Sequence, residues 1–232
     1  AIMSQAISLA CSVTFVALFH NAIKARPSAF YVLAAATACF GVYFTYHPVA
    51  DGFVRAAAFA IQKGQVGFAF LAIVMFVGAF RDGSEVRKAL QTVRGELSIG
   101  APILMIAHFV AYLTSYAGMV GALGSLRPTV IASLGISVVI IVLLAVLSVT
   151  SLQAVKRAMK ANSWKRVQWL AYAFFALIFF HMLGYMMVPA AAGSPDASAS
   201  LGFYLVVYAA YAVARVRRVV VDKGGGRSWL TT

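Results

Sequence analysis

The fold is decided by an uncharged run of apolar residues at positions 130–151, VIASLGISVVIIVLLAVLSVTS. A bilayer core is crossed by about 20 apolar residues in a helix, so this run is long enough to span a membrane once. Six other segments are similar in length and character, at positions 4–23, 28–47, 64–80, 98–122, 167–188 and 200–217. Because backbone amides in lipid must be satisfied within their own segment, we predict an all-α polytopic membrane helical bundle of about seven transmembrane helices.

The composition supports a lipid bilayer as the environment. Hydrophobic residues make up 62% of the 232 positions and charged residues 11%, which is more apolar surface than a soluble domain of this size can bury. A net charge of +13 raises the question of nucleic acid. The cations, however, lie in short clusters between apolar runs, as in the cytoplasmic loops of membrane proteins. We therefore predict no nucleic-acid partner.

The distribution of cations predicts the orientation. If residue 1 lies outside, sixteen of the nineteen Lys and Arg residues fall on one side, and the other side keeps Arg55, Lys63 and Arg127. By the positive-inside rule, the N-terminus is outside and the C-terminus is cytoplasmic. Lys24 and Arg26 follow the first apolar run, with no small-residue cleavage site, which predicts a retained helix. We expect a multi-pass protein of the bacterial inner (cytoplasmic) membrane.

Common catalytic motifs are absent from the sequence. It contains no HExxH, GxSxG, Walker or GxGxxG motif, and its two cysteines form no CxxC pair. No Asp or Glu lies in the middle of an apolar run, which disfavours a cation-coupled or other small-solute transporter. The histidines are therefore the main candidates for chemistry inside the membrane.

Two histidines are predicted to lie at the same depth. His108 follows Arg94 by 14 residues and His181 follows Arg166 by 15, which places them about 21 and 22 Å along their helices from the cytoplasmic end. Two histidines at one level on different helices can ligate one haem iron from both faces of the ring. The alternative is that each histidine forms a hydrogen bond between helices.

Other outer residues are candidates for haem-propionate contacts. A carboxylate near lipid favours a charge-assisted hydrogen bond, and Arg127, Lys63 and His47 are the candidates, with Arg55 equally eligible. For His47, an interfacial role is the alternative. His20, near the inner end of the first helix, is expected to have a surface or packing role.

The segments around both histidines resemble a known family. RGELSIG at 94–100 precedes His108, and WKRVQWLAY at 164–172 precedes His181. This pattern resembles the ferric reductase-like transmembrane domain family, and is most similar to the haem-binding membrane subunits of periplasmic methionine sulfoxide reductase systems. The resemblance covers residues 64–217, leaving 1–63 as two additional helices with an outer loop and 218–232 as a short cytoplasmic tail.

The resemblance implies one bis-histidine haem b near the outer face, with His108 and His181 as axial ligands. Gln168 stands where the family commonly has a histidine, and Arg94 and Gly95 stand where two-haem relatives carry another. A second, inner haem is therefore not expected. Electrons would pass between a quinol or a cytoplasmic or partner donor and an extracytoplasmic acceptor, with a quinone or FMN as further cofactor candidates.

The sequence is compatible with two functions. The first is a membrane cytochrome b subunit that has no catalytic domain of its own and works with a separate redox partner subunit or membrane complex. The second is a non-redox structural subunit of a larger membrane complex, built on the same helical scaffold. The presence or absence of haem separates them.

Overall fold

The chain is built from long α-helices, which the computed structural model describes for residues 2–118 and 120–224. In chain order they are α1 (Ile2–Ala25), α2 (Pro27–Tyr46), α3 (Phe53–Gln62), α4 (Gln65–Val77), α5 (Glu85–Ala117), α6 (Pro128–Ser151), α7 (Gln153–Ala158), α8 (Ala161–Ala191) and α9 (Pro195–Gly224). A 3-10 helix at Val120–Ser125 lies between α5 and α6. Within the described residues there is no β-strand. The predicted all-α polytopic bundle is confirmed.

Six helices are long and apolar enough to cross a membrane: α1, α2, α5, α6, α8 and α9. The helices α3 and α4 pass the same test as a pair but are bent by 55° at their junction, so the described residues contain seven spans if this pair is one broken span and six if it is a re-entrant loop. The segment at 64–80, predicted as one span, therefore consists of a helix of 13 residues that is about 20 Å long. Its neighbour α3 completes the pair.

Several predicted boundaries differ from the structure: α8 begins at Ala161, and α9 runs from Pro195 to Gly224, into the segment predicted as a tail at 218–232. The helix predicted at 98–122 begins at Glu85, because the Ser84 hydroxyl caps the first turn and accepts a hydrogen bond from the Arg87 backbone N–H at 3.4 Å. Pro189, which follows the span predicted at 167–188, lies inside α8. It has no N–H to donate to the carbonyl four residues before it, and α8 ends two residues later at Ala191.

The short helix α4 lies at the centre of the bundle. Almost every residue from Gln65 to Val77 is buried, because α4 packs against α1, α3 and α5. Gln65 links α4 to α1 through hydrogen bonds, since it accepts from the Ser8 hydroxyl at 3.4 Å and donates to the Ser4 hydroxyl at 3.2 Å. Both the amide oxygen and the amide nitrogen of the buried Gln65 side chain thus have a hydrogen-bond partner.

Small residues allow two pairs of helices, α2 with α5 and α6 with α8, to pack closely. A Cβ at Gly100 of α5 would collide with the Phe30 ring of α2, and a Cβ at Gly184 of α8 would collide with the Ser133 hydroxyl of α6. Membrane helices associate through such small residues, because lipid offers no hydrophobic driving force. The α2–α5 and α6–α8 pairs are therefore closely packed, and both include a histidine-bearing helix.

Candidate functional site

His108 and His181 lie on different helices of the bundle. His108 is on α5 and His181 is on α8, and both side chains are partly buried. Among the described residues, α5 and α8 share no extensive contact and are connected instead through α6. The pairing of these two histidines at one site stays a prediction.

His108 is oriented by the break between α3 and α4. Its Nδ1 donates a hydrogen bond to the carbonyl oxygen of Gln62, the last residue of α3, at 2.9 Å. The proton must lie on Nδ1, since a carbonyl oxygen accepts only. In the neutral imidazole, Nε2 then carries the free electron pair.

The backbone at this break requires a glycine. Gly64 has a φ of +70°, a left-handed conformation that is costly for residues with a Cβ. A Cβ at Gly64 would also lie 3.2 Å from the Cγ and Nδ1 atoms of His108. The glycine therefore allows both the bend and the close approach of the imidazole.

His181 is oriented by two serines of α6. Its Nδ1 lies 2.9 Å from the Ser137 hydroxyl and 3.3 Å from the Ser133 carbonyl oxygen. Ser137 donates its own proton to the same Ser133 carbonyl at 2.7 Å, so its oxygen accepts from His181 Nδ1. As at His108, the proton lies on Nδ1 and the free electron pair on Nε2.

This orientation is the one that metal-ligating histidines adopt. Such histidines donate one ring N–H to a carbonyl, carboxylate or hydroxyl, which fixes the ring and makes the other nitrogen a better ligand. Within the described residues, no group of three or more His, Cys, Asp or Glu side chains could hold a metal ion. Two histidines can therefore supply two ligands, and a planar macrocycle such as haem would supply the remaining four.

Tyrosines connect the two histidines through a series of contacts. Tyr112 lies one turn from His108, with ring centroids 4.7 Å apart, and Tyr185 lies one turn from His181, at 5.1 Å. Tyr116 continues the series, since its ring is 6.3 Å from that of Tyr112 and its hydroxyl lies near that of Tyr185. The sequence interpretation missed these tyrosines. The spacing of four residues from each histidine was the signal that could have found them.

Lys63 is the predicted propionate partner that reaches this cluster. Its Nζ donates a hydrogen bond to the Tyr112 hydroxyl at 2.9 Å and lies 5.1 Å from the centre of the Tyr112 ring. The Tyr112 ring, which contacts the His108 ring, therefore connects Lys63 to His108.

The other predicted propionate contacts lie elsewhere. His47 stacks on Tyr43 at 4.4 Å, Arg55 pairs with Asp51 at 4.0 Å, and Arg127 is the exposed residue before α6. Among the contacts of the described residues, none joins these three side chains to either histidine.

The inner end of α8 is held by a different set of bonds. Gln168 Nε2 donates to the Thr150 hydroxyl at 3.0 Å, and the Trp164 indole donates to the Thr150 carbonyl at 2.9 Å. Gln168 thus connects α8 to α6 at the position where the family resemblance leads one to look for a ligand. His20 Nδ1 donates to the Ala17 carbonyl of its own helix at 3.0 Å.

Comparison with known proteins finds a relative that matches almost all of this chain. A protein of Treponema pallidum (strain Nichols), described as an uncharacterized protein, is 29% identical over 226 residues. The match covers 96% of this chain and 62% of that protein, so the chain spans less than two thirds of its relative's length. No protein-family model matches the chain, and no solved structure matches it.

Proposed function

We propose that this protein is a membrane cytochrome b subunit that holds one haem b between His108 and His181. The carrying observation is that both imidazoles donate from Nδ1, to a backbone carbonyl or a serine hydroxyl, and keep Nε2 free. Electrons would pass between a quinol or a partner's cofactor and an acceptor outside the membrane. When bound, the haem supplies an iron that gains and loses one electron.

The protein's own residues would hold and tune the group. The Gln62 and Ser133 carbonyl oxygens fix both rings before any ligand arrives, so little ordering is required on binding. By accepting hydrogen bonds from the Nδ1–H groups, these oxygens also increase the electron density on Nε2. Leu104 and Ala107, close to His108 on α5, are buried and would keep water away on that side of the group. Lys63 would provide a positive charge for a propionate.

The tyrosine cluster supports an exchange of electrons on the outer side. The ring contacts of Tyr112, Tyr116 and Tyr185 extend beyond both histidines in the direction of the α5 C-terminus. The positive-inside rule assigns this end to the extracytoplasmic side of a bacterial inner membrane. A separate subunit or membrane complex would supply the second redox partner.

Histidine variants test the proposal. In the purified protein, His108→Ala or His181→Ala should abolish the absorption bands of reduced b-type haem while the chain still inserts into the membrane. His47→Ala is the matched control, since His47 is exposed and stacks on Tyr43, and it should keep the wild-type haem content. Unchanged haem content in both His108→Ala and His181→Ala would refute the proposal.

The same hydrogen bonds favour one alternative, a non-redox structural subunit. Each histidine bonds to another helix: His108 to the end of α3 and His181 to α6. A buried carbonyl freed by a helix break needs such a donor. Under this alternative, His108→Ala would lower the thermal stability, and the wild-type protein would contain no haem.

A further inference from the structure

A long apolar groove lies away from the two histidines. It has a volume of about 590 Å³ and is formed by α1, α4, the first turns of α5, and α9. His20 and Glu85 are the polar residues of its lining, and the rest is aliphatic or aromatic. Val13 and Val206 are lining residues that are also exposed on the bundle surface. The groove is therefore accessible from the surrounding lipid.

The length of the groove matches one leaflet of a bilayer. Along α1 its lining extends from Leu9 to His20, and the eleven steps between these residues correspond to about 16 Å of helix. Half the hydrocarbon thickness of a bilayer is about 15 Å. A single acyl chain lying along the groove would therefore reach from the bilayer centre to the level of His20.

Arginines hold the groove wall at the His20 end. Arg215 and Arg218 of α9 both donate hydrogen bonds to the Gly78 carbonyl at the end of α4. Arg87 donates to the carbonyl of Phe80, a lining residue, at 3.4 Å. The nearby acid Asp82 pairs with Arg87 and Arg218, and the lining acid Glu85 pairs with Lys88 at 2.7 Å. The acids at this end are thus already neutralised.

Two exposed cations, Lys24 of α1 and Arg217 of α9, lie on the same helix faces as residues that line the groove. Lys24 lies four residues after His20 on α1, and Arg217 lies seven residues after Ala210 on α9, so each shares a helix face with a lining residue. Both side chains are exposed. Neither forms an ion pair with another described residue. Positive charge therefore accumulates where a lipid headgroup would lie.

We propose that the groove binds an anionic phospholipid of the cytoplasmic leaflet. One acyl chain lies between α1, α4, α5 and α9, and the phosphate lies between Lys24 and Arg217. A neutral ligand would fill the apolar part and leave both cations without a counter-charge. Basic pockets between helices on the cytoplasmic side bind anionic headgroups in this way. This site is separate from the histidine pair and does not depend on haem.

Native mass spectrometry of the full chain in mild detergent tests this site. Phosphatidylglycerol and phosphatidylcholine with identical acyl chains are titrated into delipidated protein. We expect the anionic lipid to bind about tenfold more tightly. The double variant Lys24→Gln with Arg217→Gln should lose this preference and keep the affinity for phosphatidylcholine. Ala210→Phe, which fills the groove, should weaken the binding of both lipids.

A matched control removes the same charge elsewhere. Lys160→Gln with Lys165→Gln changes two exposed cations of the same predicted membrane side that are not on groove helices, and should keep the wild-type preference. The proposal is overturned if the wild type does not distinguish the two lipids, or if the Lys24 and Arg217 double variant still prefers phosphatidylglycerol. Displacement of phosphatidylglycerol by an equal concentration of a neutral quinone would also overturn it.

Discussion

The Nδ1 atom of His108 lies 2.9 Å from the carbonyl oxygen of Gln62, at the point where the α3–α4 pair bends by 55°. One hydrogen bond thus does two things. It satisfies a carbonyl that the break removes from the helical ladder, and it fixes the imidazole with Nε2 free. The helix break and the orientation of the candidate ligand are therefore coupled.

Gly64→Ala tests this coupling. The left-handed φ of +70° and the 3.2 Å approach to the His108 ring predict a loss of about 1–2 kcal/mol of stability, with a lower haem content. Thermal unfolding in detergent and the absorbance of reduced haem measure the two effects. Gly118→Ala is the control, since Gly118 has a right-handed backbone and no atom within 4 Å of its added Cβ. Equal effects of both variants would contradict the coupling.

Ser137→Ala tests the orientation of His181. The variant removes the acceptor at 2.9 Å and leaves the Ser133 carbonyl at 3.3 Å, so His181 becomes a weaker electron donor to iron. We expect the midpoint potential of the haem to rise, because the ferric form loses more stabilisation than the ferrous form. Ser151→Ala removes a hydroxyl bonded within its own helix and should leave the potential unchanged. A wild-type potential in Ser137→Ala would argue against ligation by His181.

Lys63→Met tests the charge beside the site. A cation near the haem disfavours the oxidised iron, which carries the extra positive charge. Removing Lys63, which lies next to Tyr112, should therefore lower the midpoint potential in a redox titration. Arg127→Met removes the same charge from the exposed residue before α6 and should change the potential much less. The opposite order of the two shifts would contradict the assignment.

The orientation of the chain in the membrane can be tested by labelling the two ends of α8. In a background of Cys11→Ser and Cys39→Ser, Ala192→Cys lies after α8 and Lys160→Cys lies before it. The positive-inside rule predicts that a membrane-impermeant thiol reagent labels Ala192→Cys in intact cells. Lys160→Cys should react after the membrane is permeabilised. The reverse pattern would invert the orientation of the whole chain.

The long helices were predictable from the sequence because each apolar run approaches the thickness of a bilayer core. The start of a span at residue 64 was predictable too, but the 55° bend between α3 and α4 and the end of α4 at Val77 were not, since the apolar character continues to residue 80. The start of α5 at Glu85 was missed for a related reason. Its first turns are polar, and they are held by the Ser84 cap and not by lipid.

The equal depth of His108 and His181 is a prediction that rests on counting residues along two helices of the same orientation. Their hydrogen-bond partners could not be predicted. Ser133 and Ser137 lie in the most apolar span of the chain, and whether they face His181 depends on the rotation of α6, which hydropathy does not determine. Of the predicted outer contacts, Lys63 reaches the site because the α3–α4 break places it beside Tyr112.

The most direct test of the central claim is the haem content of the wild-type protein. A pyridine haemochrome assay on the purified full chain, normalised to protein by amino-acid analysis, gives the number of haems per chain. Because one pair of histidines provides two axial ligands, we predict about one b-type haem per chain. A colourless protein with no haem, purified from cells that are supplied with haem, would contradict the claim and favour the structural subunit.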